Sequence, residues 1–139
     1  MPGPIDASAL HRWLYVSVCQ LPAAWVEPAV ADIVTASRAR NAALGVTGAL
    51  LFTGRRFAQF IEGPEEELAA IRASIERDTR HAEIRTILDG HQRDRLFDDW
   101  SLAYAGPSLF VSGQVEAALD ETGLADNLVQ LLREFARPS

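Results

Sequence analysis

Apolar positions along the 139-residue chain fall into short blocks whose spacing alternates between that of a strand and that of a helix. Residues 10–19 (LHRWLYVSVC) are rich in aromatic and β-branched types and apolar on both alternating faces, which predicts a central strand covered on each side. Glu27-Pro28 then opens a segment in which Val30, Ile33, Val34 and Ser37 fall at i, i+3, i+4 and i+7. With proline at a favoured first-turn position, this predicts an amphipathic helix ending between Asn41 and Gly45. Residues 46–53 and 56–62 are strand-like runs separated by Gly54-Arg55, a spacing that predicts an antiparallel hairpin. Gly63-Pro64-Glu65-Glu66-Glu67 supplies a break, an N1 proline and first-turn acids. Leu68, Ile71 and Ile75 continue as the stripe of a second helix to about Arg77. Residues 83–90 and 97–105 read as strands four and five, joined by a polar, arginine-rich connection.

The resulting order is βαββαββ, which predicts an α+β fold of the ferredoxin-like sandwich type, with two helices on one face of a mostly antiparallel sheet. The other face needs a cover. Past Gly106-Pro107, Val115, Ala118 and Leu119 form a short stripe, and Leu124, Leu128, Leu131, Leu132 and Phe135 form a longer one at helical spacing. These C-terminal helices are expected to pack on the bare face; a partner-binding or dimer surface is the alternative. The chain therefore divides into an N-terminal extension (1–9), one folded domain (10–105) and a C-terminal helical extension (106–139), without internal repeat or low-complexity segment.

Composition narrows the function classes. The formal net charge of −6 gives no overall positive field for phosphate backbones, so direct nucleic-acid binding is not expected. No lysine is present, which excludes Schiff-base chemistry and a Walker-type phosphate loop. The single cysteine, Cys19, has no disulfide partner within the chain and no metal-ligand spacing around it, and a reducing compartment follows. The first nine residues lack the basic start and apolar run of a signal peptide, and no run approaches the roughly 20 apolar residues of a membrane helix. The expected setting is cytoplasmic, with no membrane contact.

Five blocks carry a family resemblance: 10–17 (LHRWLYVS), 41–48 (NAALGVTG), 57–64 (FAQFIEGP), 77–81 (RDTRH) and 97–101 (FDDWS). In order and spacing they resemble the BLUF domains, flavin-dependent sensors of blue light, across residues 10–105. The resemblance implies a non-covalently bound flavin whose ring slots between the two helices over the sheet. It also implies a photoactive tyrosine and glutamine, which by position are Tyr15 and Gln59. Strand alternation independently puts Trp13, Tyr15 and Ser17 on one face, and Phe57, Gln59 and Ile61 on one face of their own strand. A tyrosine can give up an electron and then its hydroxyl proton. A glutamine amide carries an acceptor and two donors on one planar group and so makes a two-state element.

By the same resemblance Asn41 hydrogen-bonds the ring near its carbonyl edge, its other reading being a helix C-cap. Arg40 contacts the ring or ribityl chain, and Ile33 and Ile75 sandwich the ring. Arg77, Arg80 and His81 are expected to neutralise flavin phosphates, with a solvated charged turn as the alternative. Ser74 stands where the family often has a basic residue, which weakens phosphate anchoring and leaves FAD, FMN and riboflavin all as candidate cofactors. Trp100 matches a strand-five tryptophan that responds to the switch, and Leu102 replaces a methionine common in the family, losing its polarizable thioether.

The function implied is a photoreceptor rather than an enzyme, signalling from strand five and the C-terminal helices to a downstream protein, with a homo-oligomer (dimer or larger) expected. An acylphosphatase-like site would need a glycine and an arginine after strand one, where residues 20–24 (QLPAA) have neither. His11, His81 and His91 match no zinc pattern, and no nucleophile elbow occurs. The remaining alternative is an interaction module of the same fold that has lost its flavin.

Overall fold

The computed structural model describes residues 9–98, 100–119 and 124–137. The elements are β1 (Leu10–Cys19), α1 (Ala23–Leu44), β2 (Thr47–Phe52), β3 (Arg56–Gly63), α2 (Glu65–Arg77), β4 (His81–Gln92), β5 (Ala103–Ala105), α3 (Leu109–Ala118) and α4 (Leu124–Phe135). The sheet runs β4-β1-β3-β2-β5, antiparallel except for the parallel β2–β5 pair. This is the βαββαββ arrangement expected, with β1 and β3 at the centre where their two-sided apolar pattern belongs.

Side-chain alternation splits the core into layers. Leu14, Val16, Ala49, Leu51, Ala58 and Phe60 point to one face and pack with Val115, Leu128, Leu132 and Ala136. The C-terminal helices thus cover that face, as the apolar stripe predicts; the side chains of Ala118 and Leu124, also in the stripe, lie outside the described residues, as do residues 1–8 of the N-terminal extension. On the other face Trp13, Tyr15 and Ile61 pack with Leu68, Ile71 and Ile75 of α2. Leu50, Phe52 and Phe57 pack there with Val30 and Val34 of α1.

Three boundaries differ from expectation. Helix α1 starts at Ala23, so Pro28 lies inside it rather than in its first turn. Its opening stretch is largely solvent-exposed and shows no buried position before Val30, so apolar spacing cannot announce it. Pro64 is the N-cap of α2, not its first residue. Strand five shrinks to Ala103–Ala105: between Leu96 and Ser101 one backbone bond reaches β2, from Gly48 N–H to Trp100 O at 3.1 Å, and most of the other backbone groups bond to side chains and turns. Leu96 and Phe97 donate to the Glu62 carboxylate at 2.7 and 2.9 Å, Trp100 N–H turns back on Phe97 O at 2.9 Å, and Ser101 O accepts from Asn41 Nδ2 at 2.8 Å. Asp98 adopts φ 48°, and Asp99, part of the motif, lies outside the described residues.

Two features of the sheet place the site. Gly48 on β2 lies so close to β3 that a Cβ there would stand 2.0 Å from the carbonyl oxygen of Phe60, so only glycine fits. The β1–β4 register shifts between Leu14 and Tyr15 and again between Val16 and Val18, leaving an extra β4 residue on each side of Tyr15. Such bulges bend a strand and re-aim its side chains.

Candidate functional site

Tyr15 on β1 stands directly opposite Gln59 on β3, and Gln59 stands opposite Leu50 on β2. This register turns the alternation argument into contact: the buried Tyr15 hydroxyl donates to Gln59 Oε1 at 2.6 Å. Among the described residues, the Gln59 amide nitrogen has no hydrogen-bond partner in the protein, although Gln59 is almost fully buried. An unused donor on a planar amide is a group prepared for an acceptor from outside the chain.

That donor lines a cleft between α1, α2 and the sheet. The cleft encloses about 550 Å³ with its mouth included, and its walls are Ile33, Ser37 and Arg40 from α1, Leu50, Phe57, Gln59 and Tyr15 from the sheet, Ser74 and Ile75 from α2, and Asp78, Arg80 and His81 beyond it. Aliphatic side chains from two facing helices, with polar groups at the floor and edges, suit a flat apolar ring carrying hydrogen-bonding edges. The donor set therefore fits an isoalloxazine: Gln59 Nε2 and the Arg40 guanidinium both present N–H groups to the cleft.

Electrostatics hold Tyr15 neutral. Burial raises its pKa well above the ordinary phenol value, with Asp78 adding and Arg40 opposing. Burial in turn lowers the pKa of Arg40, opposed by Tyr15. Arg40 reaches only the Asn41 side-chain oxygen, at 3.3 Å from both Nε and an Nη, and no carboxylate pairs with it among the described residues. Behind Tyr15, Trp13 stacks on its ring at 4.4 Å between centroids and donates through Nε1 to Thr86 at 2.9 Å, while the Arg72 guanidinium lies over Trp13. These contacts immobilise the phenol.

The structure sorts the remaining sequence-predicted residues. Ile33, Arg40, Gln59, Ile75, Arg80 and His81 converge on the cleft with Tyr15. His81 does so as a buried wall rather than on a solvated turn: its Nε2 faces the Ile75 carbonyl at 2.8 Å and so carries hydrogen, and Nδ1 meets Ser17 Oγ at 2.6 Å. Both ring nitrogens are spent inside the protein, and its ring sits edge-on to Tyr15. The Arg80 fork is held by Asp78, with Nε 2.9 Å from Oδ1, and this bond holds the Asp78 carboxyl below its usual range.

Asn41 is fully buried but does not line the cleft; Nδ2 ties α1 to the Ser101 carbonyl instead. Nor is it the helix C-cap, which is Gly45 at φ 68°. Arg77 is exposed in the last turn of α2, away from the cleft walls. The Trp100 side chain packs with the opposite core layer, and Leu102 occupies the cleft-side layer beside Leu50 and Phe57. Ser37, Leu50, Phe57 and Asp78 line the cleft without having been named as site residues from the sequence, and Ser74, noted there for replacing a basic residue, lines it as well. Phe57 shares the strand face of Gln59, and Ser37 follows Ile33 by one helical turn, so face and spacing would have found both.

Comparison with known proteins bears on the same region. The family model described as "BLUF: Sensors of blue-light using FAD" matches residues 10–103. The beta subunit of a photoactivated adenylate cyclase from Euglena longa is 30% identical over 134 residues, covering 96% of this chain and 15% of that protein. This chain thus spans a small fraction of that relative's length. Among solved structures, the dark state of BlrB, titled a BLUF protein, superposes with a TM-score of 0.77 at 30% identity, covering 90% of this chain and 96% of the other. The photo-activated state of BlsA shares the fold with a TM-score of 0.81 at 20% identity, covering 94% and 99%.

Proposed function

We propose how this chain, which belongs to the BLUF family of sensors of blue light using FAD, converts absorbed light into a protein signal: Tyr15 and Gln59 form a hydrogen-bond switch in the cleft between α1 and α2. The observation that carries the proposal is the 2.6 Å bond from the Tyr15 hydroxyl to Gln59 Oε1, with the amide nitrogen of Gln59 left unused toward the cleft. A bound flavin supplies the blue-light absorption and an excited state able to accept an electron.

Ile33 and Ile75, on facing walls of the cleft, would hold the ring's two faces and Gln59 and Arg40 would address its polar edge, while Asn41 fixes the end of α1 through Ser101. Tyr15 is the group that releases an electron and its hydroxyl proton and then recovers both. Among the described residues its buried, neutral hydroxyl has Gln59 Oε1 as its acceptor, so the proton would pass to that oxygen as the electron passes to the flavin, and both would return to Tyr15. With Tyr15 transiently altered, the Gln59 amide reorders its donor and acceptor groups. An unsatisfied buried polar atom costs about 1–3 kcal/mol, so intermediate orientations are disfavoured and the two arrangements stay discrete.

The output route follows the strand register. Gln59 opposes Leu50, Leu50 pairs with Tyr104 of β5, and Tyr104 exchanges backbone hydrogen bonds of 2.7 and 2.9 Å with Arg137 just past α4. A change at Gln59 thereby reaches the C-terminal segment through one row of the sheet, with Trp100 and Leu102 flanking β5 on its two faces. The consequence is a shift in the population of C-terminal conformations that alters binding to a downstream protein partner or to further copies of the chain.

Replacing Gln59→Leu keeps the volume and removes the switch. The variant is expected to bind flavin and show no light-induced red shift in its absorption; a normal reversible shift in that variant would refute the role of Gln59.

A further inference from the structure

The cleft explains how the flavin ring is held but leaves open which flavin the chain selects. Among the large hydrophobic residues that are described, Trp25 is the exposed one, with 63% of its surface in contact with solvent. It lies on α1, eight residues before the cleft wall residue Ile33, about 12 Å along a helix at 1.5 Å per residue. Helical spacing places Ala29, Asp32 and Ala36 along the same row as Trp25. That row runs beside the α1 row that carries the wall residues Ile33 and Ser37, so it borders the rim of the cleft, where Asp32 is within electrostatic reach of Arg80. Arg80 O also accepts from Gln20 N–H at 2.9 Å, bringing the rim next to the short turn that leads into Trp25.

We infer that Trp25 is a stacking platform for the adenine of a flavin dinucleotide, and that the chain consequently prefers FAD to FMN and riboflavin. The inference rests on the flavin-binding reading of the cleft. With the isoalloxazine between Ile33 and Ile75, the ribityl chain and diphosphate leave past Arg80. The adenine then comes within reach of an indole about two helical turns away. Every base has a π face, so stacking on an exposed aromatic needs no further hydrogen bonds and shifts affinity by roughly fivefold to a hundredfold. FMN and riboflavin end before the indole and gain nothing from it.

The test is titration of the flavin-free full chain with FAD, FMN and riboflavin, each as the added probe, for the natural sequence, Trp25→Ala and Trp25→Phe. The expected result is FAD binding about tenfold tighter than FMN in the natural chain, equal binding of both in Trp25→Ala at the unchanged FMN affinity, and a retained preference in Trp25→Phe. Equal binding of FAD and FMN by the natural chain, or an undiminished preference in Trp25→Ala, would overturn the inference and leave the photoreceptor reading standing. Failure of all three flavins to bind the natural chain would overturn both. Since the indole is mostly in solvent, Trp25→Ala is expected to unfold at the natural chain's temperature, so a change in FAD binding alone reports on the stack.

Discussion

Replacing Glu62→Ala removes a buried carboxylate that fixes the backbone leading into β5. Glu62 is fully buried at the end of β3 and accepts from Thr47 Oγ1 (2.8 Å), Gln92 Nε2 (2.5 Å), Leu96 N (2.7 Å) and Phe97 N (2.9 Å), two bonds on each oxygen. Truncation strands two backbone N–H groups, each worth about 1–3 kcal/mol when buried without a partner, and takes the acceptor from Gln92. Thr47 is partly compensated, because Arg95 Nη1 also reaches its hydroxyl at 2.8 Å. The total is about 3–5 kcal/mol, a large part of the roughly 5–15 kcal/mol that stabilises a domain. For a chain of this size that corresponds to a fall of ~10–20 °C in Tm. Glu62→Gln keeps one acceptor oxygen but turns its amide NH2 toward either Leu96 or Phe97, stranding one N–H, at about 1–3 kcal/mol. Urea unfolding of both variants measures the series. The reasoning is refuted if Glu62→Ala lies within 1 kcal/mol of the natural chain, or if Glu62→Gln is the worse of the two.

Gly48→Ala would press a methyl group 2.0 Å from the Phe60 carbonyl oxygen in the middle of the sheet, so a loss of about 3 kcal/mol or more is expected. Gly54→Ala, at φ 97° in an open turn, is expected to cost only about 1 kcal/mol, and equal unfolding midpoints for the two would contradict the close approach. Burial raises the Tyr15 pKa in the folded state, so the folded chain binds the phenol proton more tightly than the unfolded one. That contribution to stability is complete below the unfolded value of about 10 and is lost as pH rises above it. Unfolding measured from pH 8 to 11 should therefore show stability falling above pH 10, and less steeply in Tyr15→Phe; an unchanged slope in that variant would exclude Tyr15 as a source.

Much of the fold is legible because its elements follow one physical rule each. β1 runs from Leu10 to Cys19 as its two-sided apolar pattern requires, the Gly54-Arg55 break makes a hairpin, and the tail's leucines find the bare sheet face. The exceptions arise where side-chain chemistry replaces periodicity. Residues 97–102 have strand composition, yet Glu62 and Asn41 capture their backbone groups, and nothing in a local window announces partners 35 and 60 residues away. The opening turns of α1 bury nothing until Val30, so their helical state leaves no apolar mark. In the site, Tyr15 and Gln59 meet as alternation allows, but only the register decides that they face each other rather than neighbours two residues off. His81 is charged-looking in sequence and becomes a buried wall because Ser17 and Ile75 occupy both of its nitrogens.

The most direct test of the switch is the absorption spectrum of the purified protein before and after blue light, followed through recovery in the dark. A flavin spectrum that moves reversibly to the red, with no net reduction, is the result expected from a Tyr15–Gln59 pair that changes its hydrogen bonds and returns. A bound flavin whose spectrum does not move would contradict the assignment of that pair, and protein that neither carries nor takes up flavin would contradict the photoreceptor reading itself.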